Sequence, residues 1–374
     1  MAERRRRVVV AGLGDTGLLT AIHLARHHDV VGVSVKPGLV SGQEVGTRIA
    51  RPDAWSRDYW IPFDRFRGLD DVRIVQGRLS GLDLTSRKVI VRRTDDSVVA
   101  EDYDALVIST GVRNGFWRRP DLQSAGEVDT GLRAVHDRLA GSASVAVIGG
   151  GAAAVSSAVN IAAVWPRKRV DLYFPGDRAL PAHHSRVWEH VRRRLDDAGV
   201  GIHPCHRAVL PSSVDGITGD PVEWTTGQSP ANAEAVVWAV GKVTPNTEWL
   251  PGGMLDDRGF VRVADDLRVV GDEGIFAEIF AVGDVAATDP LRNSARNRAD
   301  RLVAHNVAAS LRGDRLRTYR ARHRRWGSVL GVQHDGLEIF APNGRPFRFP
   351  AWSIESVLQP WIVRRGIYHG IRKR

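Results

Sequence analysis

Gly12, Gly14 and Gly17 stand in the run Gly12-Leu13-Gly14-Asp15-Thr16-Gly17, directly after the apolar stretch Val8-Val9-Val10-Ala11. The spacing suits a pyrophosphate. The first glycine permits a tight turn, the second lets backbone approach the anion, and a small third residue lets helix pack on strand. Free N–H groups at the helix start supply the donors. A second copy lies 137 residues on, where Val145-Ala146-Val147-Ile148 leads into Gly149-Gly150-Gly151-Ala152-Ala153-Ala154. One such turn is a weak signal, whereas two in one chain point to two bound dinucleotides.

The elements that must position these turns are buried strands and the helices that follow them. A third element of this kind is Ile279-Phe280-Ala281-Val282-Gly283-Asp284, followed by helical spacing over about 291–311 in Ala295, Ala299, Leu302, Asn306 and Ala309. Two further strand-to-glycine runs are Leu106-Val107-Ile108-Ser109-Thr110-Gly111 and Val236-Val237-Trp238-Ala239-Val240-Gly241, the latter followed by Pro245-Asn246-Thr247.

Together these runs resemble the FAD- and NAD(P)-binding two-dinucleotide oxidoreductases over about residues 8–311. The nearest resemblance is to the apoptosis-inducing-factor-homologous, ferroptosis-suppressor type of NAD(P)H:quinone reductase, with type II NADH dehydrogenases as cousins. Trp165 to Leu172 resembles the stretch entering the second strand of that group's NAD domain, and Val75 to Leu79 resembles the strand beside the flavin adenine. The resemblance implies an α/β fold of two Rossmann-like domains and a C-terminal extension. It places FAD on Gly12, Gly14, Asp15, Thr16, Gly17, Ser34, Lys36, Arg48, Leu79, Thr110, Gly111, Gly283 and Asp284. NAD(P)H falls to Gly149, Gly151, Ala152, Ala153, Ala154, Phe174 and Gly241. The expected domains are a discontinuous FAD domain (1–112 and 253–311), an NAD(P) domain (113–252) and a basic C-terminal segment (312–374).

The chain departs from this pattern at three positions. Ser34 and Phe174 stand where an acid would bond each adenosine ribose, and Ser156 replaces a glutamate near the nicotinamide. Ser34 followed by Lys36 could instead accept a 2′-phosphate. Without an acid at 174 the penalty against NADPH disappears, with Arg178 or Lys168 as candidate partners, so the reading leans to NADPH. Hydride transfer between two aligned cofactors needs no protein acid or base, and no catalytic residue is expected. Arg292 and Arg296 could add positive charge beside the flavin.

Cysteine usage closes one branch. A dithiol relay needs two thiols, and Cys205 is the sole cysteine. His203-Pro204-Cys205-His206 is read as strand or loop rather than as a metal site, and His183-His184 as a surface turn.

Net charge is +10 over 374 residues, and residues 312–374 alone carry 14 Lys or Arg against four acids. The rest of the chain is therefore balanced. Trp361, Ile362, Tyr368 and Ile371 lie among Arg364, Arg365, Arg372, Lys373 and Arg374, a mixture suited either to an anionic membrane surface or to packing on the flavin domain. Pro360 and Gly366 are expected to interrupt a long helix there. No nucleic-acid-reading motif accompanies the charge. The N-terminal arginines precede a run broken in Rossmann order, so a signal peptide is not expected. The location is read as cytoplasmic, with peripheral contact at the inner membrane face as an addition.

The leading functional reading is an FAD-dependent oxidoreductase that passes hydride from NAD(P)H through flavin to a quinone. Its rivals are a ferredoxin-type reductase with a protein acceptor and a nucleotide-responsive binding flavoprotein with little turnover.

Overall fold

The structure, a computed structural model, describes residues 5–40, 45–115, 119–241, 243–288, 299–320 and 327–372, and structural statements concern these. The chain begins with β1 (Arg7–Ala11), α1 (Asp15–Leu24), β2 (Asp29–Ser34), β3 (Gly38–Val40), α2 (Val45–Ala50), α3 (Pro52–Asp58) and β4 (Trp60–Pro62). Then come β5 (Val72–Asp83), β6 (Lys88–Arg93), β7 (Val98–Asp102), β8 (Ala105–Ile108), β9 (Val112–Arg113) and α4 (Ala125–Ala140). The middle holds β10 (Ser144–Ile148), α5 (Ala152–Val164), β11 (Arg169–Tyr173), α6 (Ser185–Asp197), β12 (Gly201–His203), β13 (Ala235–Trp238) and β14 (Thr244–Pro245). The last part holds β15 (Arg268–Gly271), β16 (Gly274–Ala281), α7 (Ala299–Arg312), β17 (Val332–Gln333), β18 (Gly336–Phe340), β19 (Pro346–Pro350) and α8 (Ala351–Ser353). A π-helix (Ile354–Ile367) continues from α8.

Two sheets carry the architecture. The larger has the order β15-β16-β8-β1-β2-β5-β6-β7, and the smaller β12-β11-β10-β13. In both, the strand before the glycine turn is central, with parallel neighbours on each side: β2 and β8 flank β1, while β11 and β13 flank β10. Chain direction diverges at that point, which opens a crevice beyond the carboxyl end of the central strand. From Val8 to Ala11 β1 is apolar because both of its faces are covered. Val8 and Val10 join the core beneath α1 and α7, whereas Val9 and Ala11 join the core on the opposite face.

The C-terminal segment touches both halves. Strands β17 to β19 form a small antiparallel sheet held to α6 by a two-bond Arg194–Asp335 pair (3.0 and 2.8 Å) and by His190–Glu338 at 3.0 Å. The residues after the π-helix strap the larger sheet's side. Arg67 N–H donates to the Gly370 carbonyl, Arg372 pairs twice with Asp70, and Phe66 packs edge-on against Tyr368. The strands read from alternation at 337–341 and 347–349 are present.

The expected helix break is not. The π-helix runs unbroken through Pro360 and ends only after Gly366. In the wider i→i+5 turn, burial recurs about every five residues, at Ser353 and Ile354, then partly at Leu358, then at Val363, then at Tyr368. α7 begins at Ala299 among the described residues. Ala295, Arg292 and Arg296 lie outside those residues.

Candidate dinucleotide sites

The first glycine turn closes on a specific set of contacts. Gly12 has φ +101°, and its N–H donates to Val33 O at 3.0 Å. A Cβ at Gly12 would meet Ser109 O at 2.5 Å, and one at Gly17 would meet Gly12 O at 2.0 Å. A Cβ at Gly14 would meet nothing within 4 Å. Gly12 and Gly17 are thus fixed by packing, whereas Gly14 faces open space. Ser109, which the sequence reading passed over, donates its hydroxyl to Gly12 O at 2.7 Å and so braces the turn.

That open space is a cavity of about 420 Å³. Its walls include Gly12, Gly14, Asp15, Thr16, Ser34, Lys36, Leu79, Thr110, Gly111, Gly283 and Asp284. Gly283 has φ +84°, and a Cβ there would meet the Thr16 hydroxyl at 3.5 Å, which puts Asp284 beside the first turn of α1. Asn246 adds a cross-tie, since Thr110 Oγ1 donates to its carbonyl at 2.8 Å and its Nδ2 returns a bond to Thr110 O at 3.0 Å. Gly17 is buried behind the turn and Arg48 is absent from the walls. The Arg48 guanidinium lies 4.7 Å from the centre of the Trp55 ring.

Lys36 brings charge to this cavity. Its Nζ donates to Arg119 O at 2.8 Å and Asp121 O at 3.3 Å. Burial brings its pKa down to about 8; Arg48 acts in the same direction and Asp121 opposes it. Trp249 also lines the cavity, and its buried Nε1 has no hydrogen-bond partner among the described residues.

The second turn repeats the geometry. Gly149 has φ +142° and donates to Tyr173 O at 2.8 Å, as Gly12 does to Val33. A Cβ at Gly149 would meet Ala239 O at 2.1 Å, whereas one at Gly151 would meet nothing within 4 Å. Ala152 and Ala153 begin α5 and Ala154 is fully buried. Gly241, with φ +72°, follows the crossing after β13. The register of β10 on β11 pairs Ile148 with Tyr173 as Ala11 pairs with Val33, so positions 34 and 174 are structurally equivalent.

The side chains at the departures correct several expectations. Phe174 is buried in the core and packs edge-on against Trp188, so its ring offers a cofactor nothing. Lys168 bonds the carbonyls of Ala140 and Ser142. It precedes the amino end of β11, a strand of five residues, and is roughly 16 Å from the glycine-turn end at ~3.3 Å per residue. It is therefore removed as a phosphate ligand. Arg178 stays near the turn, because Leu180 N–H bonds Gly150 O at 2.7 Å. Ser156 is also buried, donates to Leu330 O at 3.3 Å, and lies so close to α2 that a Cβ on Gly46 would meet its main-chain oxygen at 2.3 Å and its hydroxyl at 2.5 Å. There is no room for the relatives' glutamate. His183 is half-buried rather than at the surface, and burial lowers its pKa. His203 bonds Asp171 at 2.9 Å and stacks on Tyr173. No metal-holding group occurs among the described residues.

Two uncapped helix starts coincide with the glycine turns. α1 and α5 have Gly14 and Gly151 as N-caps with no side-chain cap, a lack they share with α3 and α8. By contrast, α4 has a full capping box from Ser124 and Glu127, and His184 caps α6. Uncapped N–H groups beside a glycine with space in front of it form a fitting cradle for a phosphate.

Residues 6–310 match the pyridine nucleotide-disulphide oxidoreductases, and the chain belongs to that family. Membership makes it an oxidoreductase of the FAD- and NAD(P)H-using kind, and the two open cradles and the unsatisfied Trp249 donor fit such groups. It is 23% identical to the oxidoreductase ptaL of Pestalotiopsis fici over 384 aligned positions, covering 96% of each chain. It is 24% identical to ferroptosis suppressor protein 1 of Xenopus tropicalis, covering 85% of this chain and 84% of that one. Among solved structures, reduced Bacillus anthracis CoADR-RHD shares the fold with a TM-score of 0.66 at 17% identity. That match covers 96% of this chain but 64% of the other, so the chain spans under two thirds of that protein.

Proposed function

We propose that the chain oxidises NAD(P)H through FAD and delivers the electrons to a quinone. In balance, NAD(P)H, a proton and the quinone give NAD(P)⁺ and the quinol, with FAD supplying the two-electron relay between them. The proposed FAD domain is 1–112 with 253–311, and the NAD(P) domain is 113–252. The cavity observation carries the reading: Gly14 leaves space that a pyrophosphate would fill, directly at the uncapped start of α1.

Within this reading Gly12 and Gly17 shape the turn, while the N–H groups at Gly14, Asp15 and Thr16 hold the FAD pyrophosphate. Asp284 takes the ribityl-phosphate region, and Lys36 with Ser34 faces the adenosine end. Gly149, Gly151 and the first turn of α5 hold NAD(P)H. The quinone follows from the resemblance to ferroptosis-suppressor-type reductases. A single cysteine supports the absence of a dithiol relay despite the family's name.

The purified protein should be yellow, bind one FAD, bleach with NAD(P)H and recolour when a short-chain quinone is added. A colourless chain that refuses FAD would overturn the reading. Recolouring by an iron–sulfur protein and not by quinones would overturn the acceptor alone.

A further inference from the structure

Four large apolar side chains stand exposed along one stripe of the C-terminal helices. Trp352 is 72% exposed, Trp361 58%, Val357 44% and Ile362 41%. Their positions follow the four-to-five-residue repeat of the π-helix, so they share the face opposite the one seated on the protein. That inner face is firmly held. Val363, Ile367 and Ile371 pack on the core beneath α1, and the strap at 368–372 fixes the helix end. The stripe is therefore a rigid feature of the folded protein, and exposed tryptophans on a rigid helix mark an interaction surface.

The charges around it identify the kind of partner. The Arg365 guanidinium lies 5.2 Å from the Trp361 ring centre, and Arg364 sits 3.8 Å from Asp58 at the helix edge. Glu355 shares this side, with Arg57 at 3.9 Å to offset it. Further round, Arg26 and Arg301 act electrostatically on His369 in the strap, opposed by Asp300. Tryptophan rings with an arginine margin match the boundary between acyl chains and anionic headgroups.

We infer that the stripe Trp352–Val357–Trp361–Ile362, with its margin of Arg364 and Arg365, docks the folded protein on an anionic lipid surface. This differs from a flexible basic tail acting as an anchor, because the tail's last turn is already used inside the molecule. The inference stands on the surface alone and does not depend on the acceptor proposed above.

The test uses the FAD-loaded protein and two kinds of vesicle, pure phosphatidylcholine and phosphatidylcholine with about 30% phosphatidylglycerol, chosen to give a marked surface potential. Co-sedimentation should be strong on the anionic vesicles, weak on the neutral ones and reduced by salt. Arg364→Gln and Arg365→Gln should each weaken anionic binding by about fivefold. Trp352→Ser with Trp361→Ser should abolish binding to both, with the amount of FAD bound per chain, counted after allowing for the two lost indoles, unchanged as proof of folding. Indifference of the intact protein to vesicles would overturn the inference, as would full binding by the double tryptophan variant. If vesicles are ignored while sedimentation velocity shows self-association that the tryptophan variant loses, the stripe is instead an interface between two copies.

Discussion

The Tyr368 hydroxyl donates to Asp15 Oδ1 at 2.8 Å and so ties the C-terminal strap to the first turn of α1. Asp15 lines the cavity, and a carboxylate there would repel a pyrophosphate at the same helix start. The tyrosine holds that carboxylate to one side. Tyr368→Phe removes a bond to a charged acceptor worth about 1.5–3 kcal/mol. FAD should therefore dissociate about tenfold more readily, as read by fluorescence of the released flavin. An unchanged dissociation constant would show that Asp15 is oriented by other groups.

Gly14 and Gly17 should fail in different ways. Gly14→Leu enters open space, so the apo-protein should keep its melting temperature and lose FAD. Gly17→Ala would push a methyl group into Gly12 O and Ser109 Oγ, at 2.0 and 2.4 Å from the ideal Cβ. It should lower the melting temperature of the apo-protein before any cofactor is added. Calorimetry of apo-protein with FAD titration separates the two.

Lys36 predicts a pH dependence. Its ammonium carries full charge below its folded pKa of about 8 and loses it as pH rises through that value. If it faces an anionic or ribose group of FAD, affinity should fall as pH rises through about 8, and Lys36→Met should flatten that slope. Stability runs the other way. Because the unfolded chain holds this proton up to the ordinary 10.5, the cost of burying the cation is removed between about pH 8 and pH 10.5, and the apo-protein gains stability there. Isothermal titration and urea melts across pH 7–10 test both signs.

At the second site, Phe174→Glu would bury a carboxylate beside Trp188. It should cost more than about 3 kcal/mol of stability rather than switch coenzyme choice. Arg178→Ala is the informative change. Reduction of the flavin by NADPH should slow relative to NADH by about tenfold if this guanidinium meets a 2′-phosphate through a charge-assisted bond. An unchanged ratio would remove Arg178 from that role.

Local chemistry made the glycine turns, the crossings at Gly111 and Gly241 and the Gly283–Asp284 turn readable, because each depends on a few adjacent residues. The strand registers make position 174 the equivalent of position 34, yet the direction of its side chain depends on Trp188 and on packing beneath Gly150. Ser109 and Trp249 escape a sequence reading for the same reason, and Tyr368, readable only as a residue of a segment suited to packing or to a membrane, reveals its partner Asp15 only in the fold. Each acts on a turn or cavity far away in sequence, and no spacing rule announces such a contact. Pro360 misled because the usual objection to proline assumes an α-helical turn, and the chain here adopts a wider one.

The strap also has a consequence for biosynthesis. β1 and α1 emerge early from the ribosome, but β15, β16, α7 and Tyr368 follow more than 240 residues later. The first glycine turn therefore cannot acquire its full surroundings during most of translation. Flavin loading is therefore expected to wait for these later segments, and until they arrive the N-terminal unit exposes apolar surface open to chaperones and proteases.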